Sequence, residues 1–187
     1  MTISDAPQPI SQEERPIIED LPVSLLDQPL EYISADHSRQ RLVCDALVRF
    51  ADAGRVDCNA ADTVSTFLSR ELLLHHRDED EHLFPSLRKR AHAQDKLDEL
   101  LSGLSQDHSQ SMAAVGSIKR ILSQPPTAGQ IKISAADRDE VIDYAKRERR
   151  HLAIENGIVM VIARKRLKDA DREAMSRAMK RRRGLTD

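Results

Sequence analysis

The sequence predicts an all-α fold: an up-down-up-down antiparallel four-helix bundle with a short C-terminal helix. Aromatic residues make up only 3% of the 187 residues and charged residues 32%, a composition that suits a helical bundle better than a sheet protein. Apolar residues recur at helical spacing over four stretches of about 20 to 30 residues. Short segments with Gly or Pro separate these stretches, and amphipathic helices joined in this way are typical of such a bundle.

The overall composition limits the classes of partner and the compartment. The formal net charge of −2 indicates no particular partner. No apolar run approaches the length of a membrane span, and the first residues lack the basic-then-apolar pattern of a signal peptide. The two cysteines, Cys44 and Cys58, do not make a disulfide framework. We therefore expect a cytoplasmic protein without a membrane partner.

Composition also divides the chain into three predicted parts. Residues 1–26 are rich in Pro, Gln, Ser and acidic residues, so we expect a disordered or loosely draped tail. Residues 27–167 form the predicted bundle, and residues 168–187 a basic C-terminal helix or tail. The stretch 164–183 carries ten Lys or Arg and three Asp or Glu but no interleaved aromatic residues, which favours a helix packed on the bundle over a nucleic-acid site. A protein partner that binds through the tails stays open.

The first two predicted helices have recognisable starts and ends. In the first helix Asp27 is the expected cap, and Gly54 ends the helix. In the second, Asn59 is the expected cap, and Pro85 is expected to kink the helix near residues 81–85. The inward-facing residues are expected to be Ile33, His37, Gln40, Cys44, Leu47 and Ala51 in the first helix, and Val64, Leu68, Leu72, His75, Glu79 and His82 in the second.

The third and fourth predicted helices follow the same pattern. The third spans residues 95–123 and ends before the Pro-Pro pair 125–126, whereas Ser134 opens the fourth with Asp137 as a capping-box partner. Histidine therefore occurs on the inward face of all four helices. The inward-facing residues are expected to be Leu97, Leu101, Leu104, His108, Met112 or Ser111, Val115 and Leu122 in the third, and Val141, Tyr144, Glu148, His151, Glu155, Ile158 and Ile162 in the fourth.

Residues 75–82 are an unusual continuation of an apolar face. They include three histidines and four carboxylates within eight residues, and Leu-Phe-Pro follows at once. His75 and Glu79 are four residues apart and project from the same face as Leu68 and Leu72. Buried without compensation, such groups would cost on the order of several kcal/mol, so they favour a partner such as a metal ion. The alternative is an ordinary solvated charged face, which we expect for His76, Asp78, Asp80, Glu81 and His92.

The four inward histidines lie at one predicted level of the bundle. At a rise of about 1.5 Å per residue, the distances of His37, His75, His108 and His151 from the adjacent helix ends match to within about 5 Å. The His-x-x-x-Glu pattern that starts at His75 recurs at His151, so two carboxylates join the same layer. Imidazole and carboxylate groups without thiolate suit a pair of iron or manganese ions, and zinc stays an alternative.

The order and spacing of these residues resemble the hemerythrin-like, or HHE cation-binding, domain. The resemblance covers about residues 28–167 and rests on a histidine, then His-x-x-x-Glu with Leu-Phe-Pro, then Asp-His, then a second His-x-x-x-Glu. It implies a metal-binding site for two non-haem iron ions with an oxo or hydroxo group between them. Of the implied ligands, His37 and His75 hold one iron, His108 and His151 hold the other, and Glu79 and Glu155 bridge the two.

One position departs from the pattern of the oxygen-carrying hemerythrins. Where those proteins have a second histidine one turn beyond the one matched by His108, this chain has Met112. A thioether is a poor ligand for oxidised iron, so one iron is expected to lack a protein ligand, which argues against simple reversible oxygen carriage. His82 and Glu148 are additional candidate ligands.

The resemblance implies a non-haem di-iron protein that binds or senses O2, NO or peroxide at the metals. One alternative is a di-iron redox enzyme that consumes peroxide. Another is a stress-signalling adaptor in which the metal site is only structural. The sequence contains no dedicated substrate pocket, so whether the protein is an enzyme stays open at this point.

Overall fold

The computed structural model of the protein describes residues 18–185 and is mostly helical, at 82%, with little sheet, which confirms the predicted helical class. The α-helices are α1 (Pro29–Ala53), α2 (Cys58–Thr66), α3 (Leu72–Asp78), α4 (Phe84–Arg90), α5 (Leu97–Leu122), α6 (Ala135–Ile154), α7 (Met160–Arg166) and α8 (Asp169–Arg182). Three π-helical segments are π1 (Phe67–Glu71), π2 (Glu79–Leu83) and π3 (Glu155–Val159). The other described elements are the 3₁₀ helices Val23–Asp27 and Ala93–Asp95 and the strands β1 (Arg55–Asp57) and β2 (Gln130–Lys132).

Because the π segments are continuous with their neighbours, the described residues form five long helical runs. The second run extends from α2 through π1, α3 and π2 to α4, and the fourth from α6 through π3 to α7. α1 packs along α6, whereas α5 contacts α2, α3, α4 and α6. These contacts place four of the runs around a shared interior.

Two predicted helix boundaries are confirmed, whereas the predicted cap of the second run is displaced. Gly54 follows α1 with a φ of 66°, in the left-handed region where glycine is favoured. The Ser134 hydroxyl accepts the Asp137 N–H at 3.1 Å at the start of α6, as expected. The cap of the second run is Asp57 and not Asn59, because the Asp57 carboxylate accepts the Asn59 N–H at 3.0 Å and the helix begins earlier than predicted.

A two-stranded antiparallel ribbon joins two of the connections between helices and was not predicted. In its register, Val56 of β1 lies opposite Ile131 of β2. Both side chains are buried and belong to the apolar cluster that also includes Ile133. Strands of three residues carry too short a pattern for sequence reasoning to detect, so only their pairing reveals them.

The apolar core consists of two clusters with a polar layer between them. On α1, Val43 and Leu47 belong to the cluster that includes the ribbon, and Leu30 and Ile33 belong to the cluster that reaches α8. His37 lies between these two parts of α1 and is completely buried. The polar layer therefore crosses the bundle where both apolar clusters end.

Two π segments shift the inward face of the helix that follows them. His82 and Ile162 are only partly buried and Ile158 is 43% exposed, although all three were predicted to face inward. A π turn contains one residue more than an α turn, so the period of 3.6 residues cannot be continued through it. π2 occupies the region in which Pro85 was expected to kink the helix. The buried positions lie one residue later than predicted, at Leu83, Val159 and Ala163.

Both ends of the described chain pack against the bundle. The tail prediction for residues 1–17 lies outside the described residues, whereas Leu26 in the first 3₁₀ helix is buried. Asp27 does not cap α1, which Gln28 precedes, but accepts a hydrogen bond from Lys180 Nζ at 2.7 Å. α8 contacts α1 and α3 and buries Met179. Within the described residues, no helix combines the length and the apolar character needed to cross a membrane.

Candidate metal centre

The six residues predicted to hold metal converge in the polar layer, and each is at most 6% exposed. They come from four helical runs that are distant in sequence. Each run contributes one histidine, and the second and fourth runs each add a glutamate. The residues are His37 on α1, His75 on α3, His108 on α5, His151 on α6, Glu79 at the first position of π2 and Glu155 at the first position of π3.

Glu79 lies among three imidazoles. Its Oε1 atom is 3.4 Å from His37 Nε2. Its Oε2 atom is 3.2 Å from His75 Nε2 and 3.4 Å from His108 Nε2. One carboxylate therefore faces histidines that belong to both predicted metal positions.

Glu155 has the complementary surroundings. Its Oε2 atom is 3.3 Å from His37 Nε2, and its Oε1 atom is 3.1 Å from His151 Nε2 and 3.6 Å from His108 Nε2. The Nε2 atoms of His108 and His151 are 3.1 Å apart. All four histidines thus direct Nε2 towards the same two carboxylates.

These six side chains make two overlapping groups that could each hold a metal ion. In each group the ligand atoms lie within 4.8 Å of one another, and all the residues are buried. The two groups share Glu79 and Glu155, which gives each carboxylate access to both positions. One group contains His37 and His75, and the other contains His108 and His151.

A π segment begins at each of these two glutamates. Each His-x-x-x-Glu pattern therefore ends where the regular α-helix ends, and the Glu79 and Glu155 carbonyl oxygens accept the N–H groups of Phe84 and Met160. Single π turns inside α-helices occur frequently at functional sites. The backbone irregularity therefore coincides with the two residues that the two groups share.

Three histidines of the centre each contact a carboxylate outside it through Nδ1, the ring nitrogen that does not face Glu79 or Glu155. Asp36 Oδ2 is 3.1 Å from His75 Nδ1, and Asp107 Oδ2 is 3.4 Å from His151 Nδ1. A carboxylate that accepts the Nδ1–H leaves the Nε2 lone pair free for a metal, as in many metal sites. Neither aspartate was predicted to have this role, since each precedes one histidine in the chain but orients a different one.

The third carboxylate, Asp80, was wrongly expected to be solvated. Its side chain is 34% exposed, and its Oδ2 atom accepts a hydrogen bond from His108 Nδ1 at 3.0 Å. Ser105 donates a second hydrogen bond to Asp80 at 2.6 Å. Asp80 therefore orients His108 from the neighbouring helix and fixes which of its nitrogens faces the centre.

The charges of the centre are strongly coupled. Burial lowers the pKa of His75, but the Glu79 and Asp36 carboxylates outweigh burial and hold this pKa well above its usual value. Burial also lowers the pKa of His108, whereas the nearby carboxylates of Asp80, Glu155 and Glu79 raise it to about 12. Burial raises the pKa of Glu79, but the surrounding histidines hold it well below the ordinary value. Positive charge therefore stabilises the buried carboxylates, and protons and metal ions compete to provide it.

Several buried atoms of the centre lack hydrogen-bond partners among the described residues. Buried polar atoms without partners are costly, so their concentration at one place requires an explanation. A cation at each of the two groups would use the Nε2 and carboxylate atoms, and the residues therefore fit a metal-binding role. The unpartnered atoms that such cations would use are His75 Nε2, Glu79 Oε2, and Oε1 and Oε2 of Glu155.

A fifth histidine, His76, borders the centre although it was expected to be solvated. It is 4% exposed, and its ring stacks on the ring of His108 at a centroid distance of 4.0 Å. Phe84 of the Leu-Phe-Pro sequence also stacks on His108, at 5.7 Å. Burial and the neighbouring histidines hold the pKa of His76 well below its usual value. His76 is therefore a neutral packing partner of His108.

The two additional candidate ligands lie outside both groups. His82 Nδ1 is 3.0 Å from the guanidinium of Arg182, because the π turn rotates His82 away from the interior. Glu148 is buried, and burial raises its pKa, but it belongs to neither group found among the described residues. Met112 is partly buried and packs against the apolar cluster near the ribbon.

We expect Asp80→Ala to weaken any metal binding at the group that contains His108. The substitution removes the acceptor for His108 Nδ1–H, and loss of such an outer partner commonly costs about 10–100-fold in metal affinity. Competition with a chelator measures this affinity. Asp139→Ala is the control, since the Asp139 side chain is 79% exposed and Asp139 precedes His151 on α6 by about three helical turns. Equal affinities in the two variants would contradict the role of Asp80.

Comparison with known proteins agrees with this geometry. The model of the hemerythrin HHE cation-binding domain family matches residues 28–163, which contain all six converging side chains. Neither the curated proteins nor the solved structures that were compared gave a match. The family match covers well over half of the chain, and the chain belongs to the hemerythrin HHE cation-binding domain family.

Proposed function

We propose that this protein carries a non-haem di-iron centre and binds or senses O2, NO or peroxide there. The observation that supports it best is the pair of buried histidine groups that share Glu79 and Glu155. Nitrogen and oxygen ligands without thiolate suit iron, and two carboxylates shared by both groups suit a bridged pair of ions.

In this proposal each side chain has a defined task. His37 and His75 would hold one iron and His108 and His151 the other, and Glu79 and Glu155 would be available to both. The outer aspartates keep the imidazoles oriented, and the two apolar clusters limit the access of water. A bound pair of iron ions supplies redox chemistry with small oxygen and nitrogen species.

A surface cleft borders one half of the proposed centre. The cleft has a volume of about 280 Å³ and lies between α5 and α6, with His151 among its lining residues. Met112, one turn beyond His108, adds no third imidazole to that half. The cleft is lined by Asp107, Gln110, Ser111, Arg147, Glu148, Arg150, His151 and Ile154.

We also propose that the first four helical runs form an up-down-up-down bundle, with α8 as the short C-terminal helix, in a cytoplasmic protein. Short connections between consecutive runs and the meeting of one histidine from each run at one level support this topology. The absence of disulfide spacing in the sequence supports the compartment.

The purified protein is expected to take up about two irons per chain after anaerobic loading with ferrous iron, because two buried ligand groups are available. Metal analysis after removal of free iron gives the stoichiometry, and Mössbauer spectroscopy shows whether the ions are paired. The absence of iron uptake, or one tightly bound zinc instead, would overturn the proposed centre.

A peroxide-consuming di-iron enzyme is the second candidate, favoured by the cleft that has His151 in its lining. Addition of O2, NO and peroxide to the iron-loaded protein separates the candidates. Reversible spectral changes indicate a binding or sensing protein, and sustained peroxide loss indicates the enzyme. Iron that responds to none of the three indicates a structural site, as in a stress-signalling adaptor.

A further inference from the structure

The end of the C-terminal helix, α8, contacts Asp78, which directly precedes Glu79 in the chain. This helix lies outside the segment that matches the family. Arg182 and Arg183, at the end of α8, both bind the carboxylate of Asp78. Arg183 Nη2 donates to Asp78 Oδ2 at 2.7 Å, and Arg182 Nη1 donates to Oδ1. Asp78 is 1% exposed, so two guanidinium groups neutralise a buried carboxylate.

A displacement of Asp78 would also move the neighbouring residues that are proposed as metal ligands. It is the last residue of α3, and Glu79, which both ligand groups share, follows it directly as the first residue of π2. His75 lies on the same turn of α3. The two arginines therefore fix the backbone at the junction from which Glu79 projects.

The same arginines also bind two further elements. Arg182 donates to Glu81 in π2 at 2.7 Å, and Arg183 donates to the Tyr32 hydroxyl of α1 at 3.2 Å. The Arg183 guanidinium lies over the Tyr32 ring, 4.8 Å from its centroid. The end of α8 thus connects α1, α3 and π2, which carry three of the six proposed ligands.

The rest of α8 provides a modest apolar contact and a second ionic one. Its buried apolar residues are Met175, Ala178 and Met179, and most of its other side chains face solvent. At its start, Asp171 accepts from Arg90 at 2.8 and 3.0 Å, which holds the other end of the helix on α4. Only the end of α8 reaches the junction next to Glu79.

We propose that Arg182 and Arg183 are positioning residues of the metal centre, which act through Asp78 on Glu79. Docking of the end of α8 and metal binding at Glu79 are then coupled. Since such coupling is reciprocal, metal stabilises the docked helix as much as the docked helix favours metal. The metal part of this proposal rests on the proposed function, whereas the positioning of Glu79 does not.

The first test compares two double variants with the same change in charge. Arg182→Ala with Arg183→Ala is expected to release iron to a chelator about 10-fold faster or more, in line with other outer supports of metal ligands. It should also alter the visible spectrum of the iron-loaded protein. Arg177→Ala with Arg181→Ala removes two exposed charges from the same helix and should change neither. Arg182→Lys with Arg183→Lys keeps the charge without the planar fork and should retain iron only in part.

The second measurement needs no variant and covers the case in which the arginine variant does not fold. Hydrogen exchange of the wild-type protein should slow in the last turn of α8 when iron is added. Unchanged exchange there, in a protein that has bound iron, would overturn the coupling.

The third measurement works on metal-free protein and separates this proposal from the proposed function. The chain has seven histidines, so their imidazole NMR signals can be assigned individually. The Arg182/Arg183 variant should shift the signals of His75 and His37, which face Glu79, and the Arg177/Arg181 variant should not. The His82 signal is excluded because Arg182 contacts that ring directly.

These measurements distinguish failure of the proposed function from failure of the positioning role. If the wild-type protein binds no iron, the proposed function fails and the NMR comparison alone decides the positioning role. If the Arg182/Arg183 variant unfolds at a lower temperature but retains the wild-type iron release rate and the wild-type His75 and His37 signals, its role is only structural and the proposal is wrong.

Discussion

Replacing Glu79 or Glu155 with glutamine is expected to remove the paired-iron signature and to reduce bound iron below two per chain. Each carboxylate lies within about 3.6 Å of three imidazoles and belongs to both ligand groups. A neutral amide of the same size keeps the packing but loses the charge shared by the two ions. The loss of affinity should be on the order of 100-fold or more, because even outer partners of metal ligands contribute about 10–100-fold. Metal analysis and Mössbauer spectroscopy measure both effects.

Glu148→Gln is the matched control for these substitutions. Glu148 is a buried glutamate on α6, the helix that carries His151, but it belongs to neither ligand group found in the described part of the chain. The Glu148→Gln protein should therefore keep two irons. A loss of iron as large as that in Glu79→Gln would show that Glu148 is a ligand and that the assignment of the centre is incomplete.

Replacing Asp78 with alanine should destabilise the metal-free protein by about 3 kcal/mol, which is in the range for breaking a buried ion pair. The Asp78 carboxylate is 1% exposed, and the substitution leaves Arg182 and Arg183 without their shared buried partner. From the sequence, Asp78 was expected to be solvated, and replacing a solvated aspartate would have almost no effect on stability. Denaturant unfolding of the metal-free protein measures the change in the free energy of unfolding.

Glu81→Ala is the control, because Glu81 also binds Arg182 but is 42% exposed. Hydrogen bonds from Arg77 and Arg182 lower the pKa of Glu81 to about 2, so the carboxylate is charged at neutral pH. Solvent nevertheless screens exposed ion pairs, and the expected loss of stability is below about 1 kcal/mol. Similar losses in the two variants would mean that Asp78 is not the main anchor of α8.

The sequence by itself determined the helical class and the six residues that meet in the polar layer. These predictions depended on local regularities: the period of an α-helix identifies the inward face, and the constant rise per residue identifies the level. His37, His75, His108 and His151 therefore could be placed together before any contact between helices was known. The buried stripe of α1 likewise agrees with its prediction at every position.

Only the tertiary structure decided which side chains from different helices meet. Asp36, Asp80 and Asp107 orient histidines on other helical runs, and nothing in the spacing along one helix records such a pairing. The π segments moved the inward face by one residue at His82 and Ile158, because a continued period assumes an unbroken α-helix.

Arg182 and Arg183, at the end of α8, are the clearest case of contacts that spacing along one helix does not predict. Arg182 and Asp78 are 104 residues apart, and each appeared to be an ordinary surface charge in its own segment. The side chains of Asp78 and Arg182 are buried because each covers the other and supplies the opposite charge. Burial of this kind is a property of the packed chain, and for that reason local sequence patterns predicted which residues meet in the polar layer but not the contacts of Arg182 and Arg183 with Asp78.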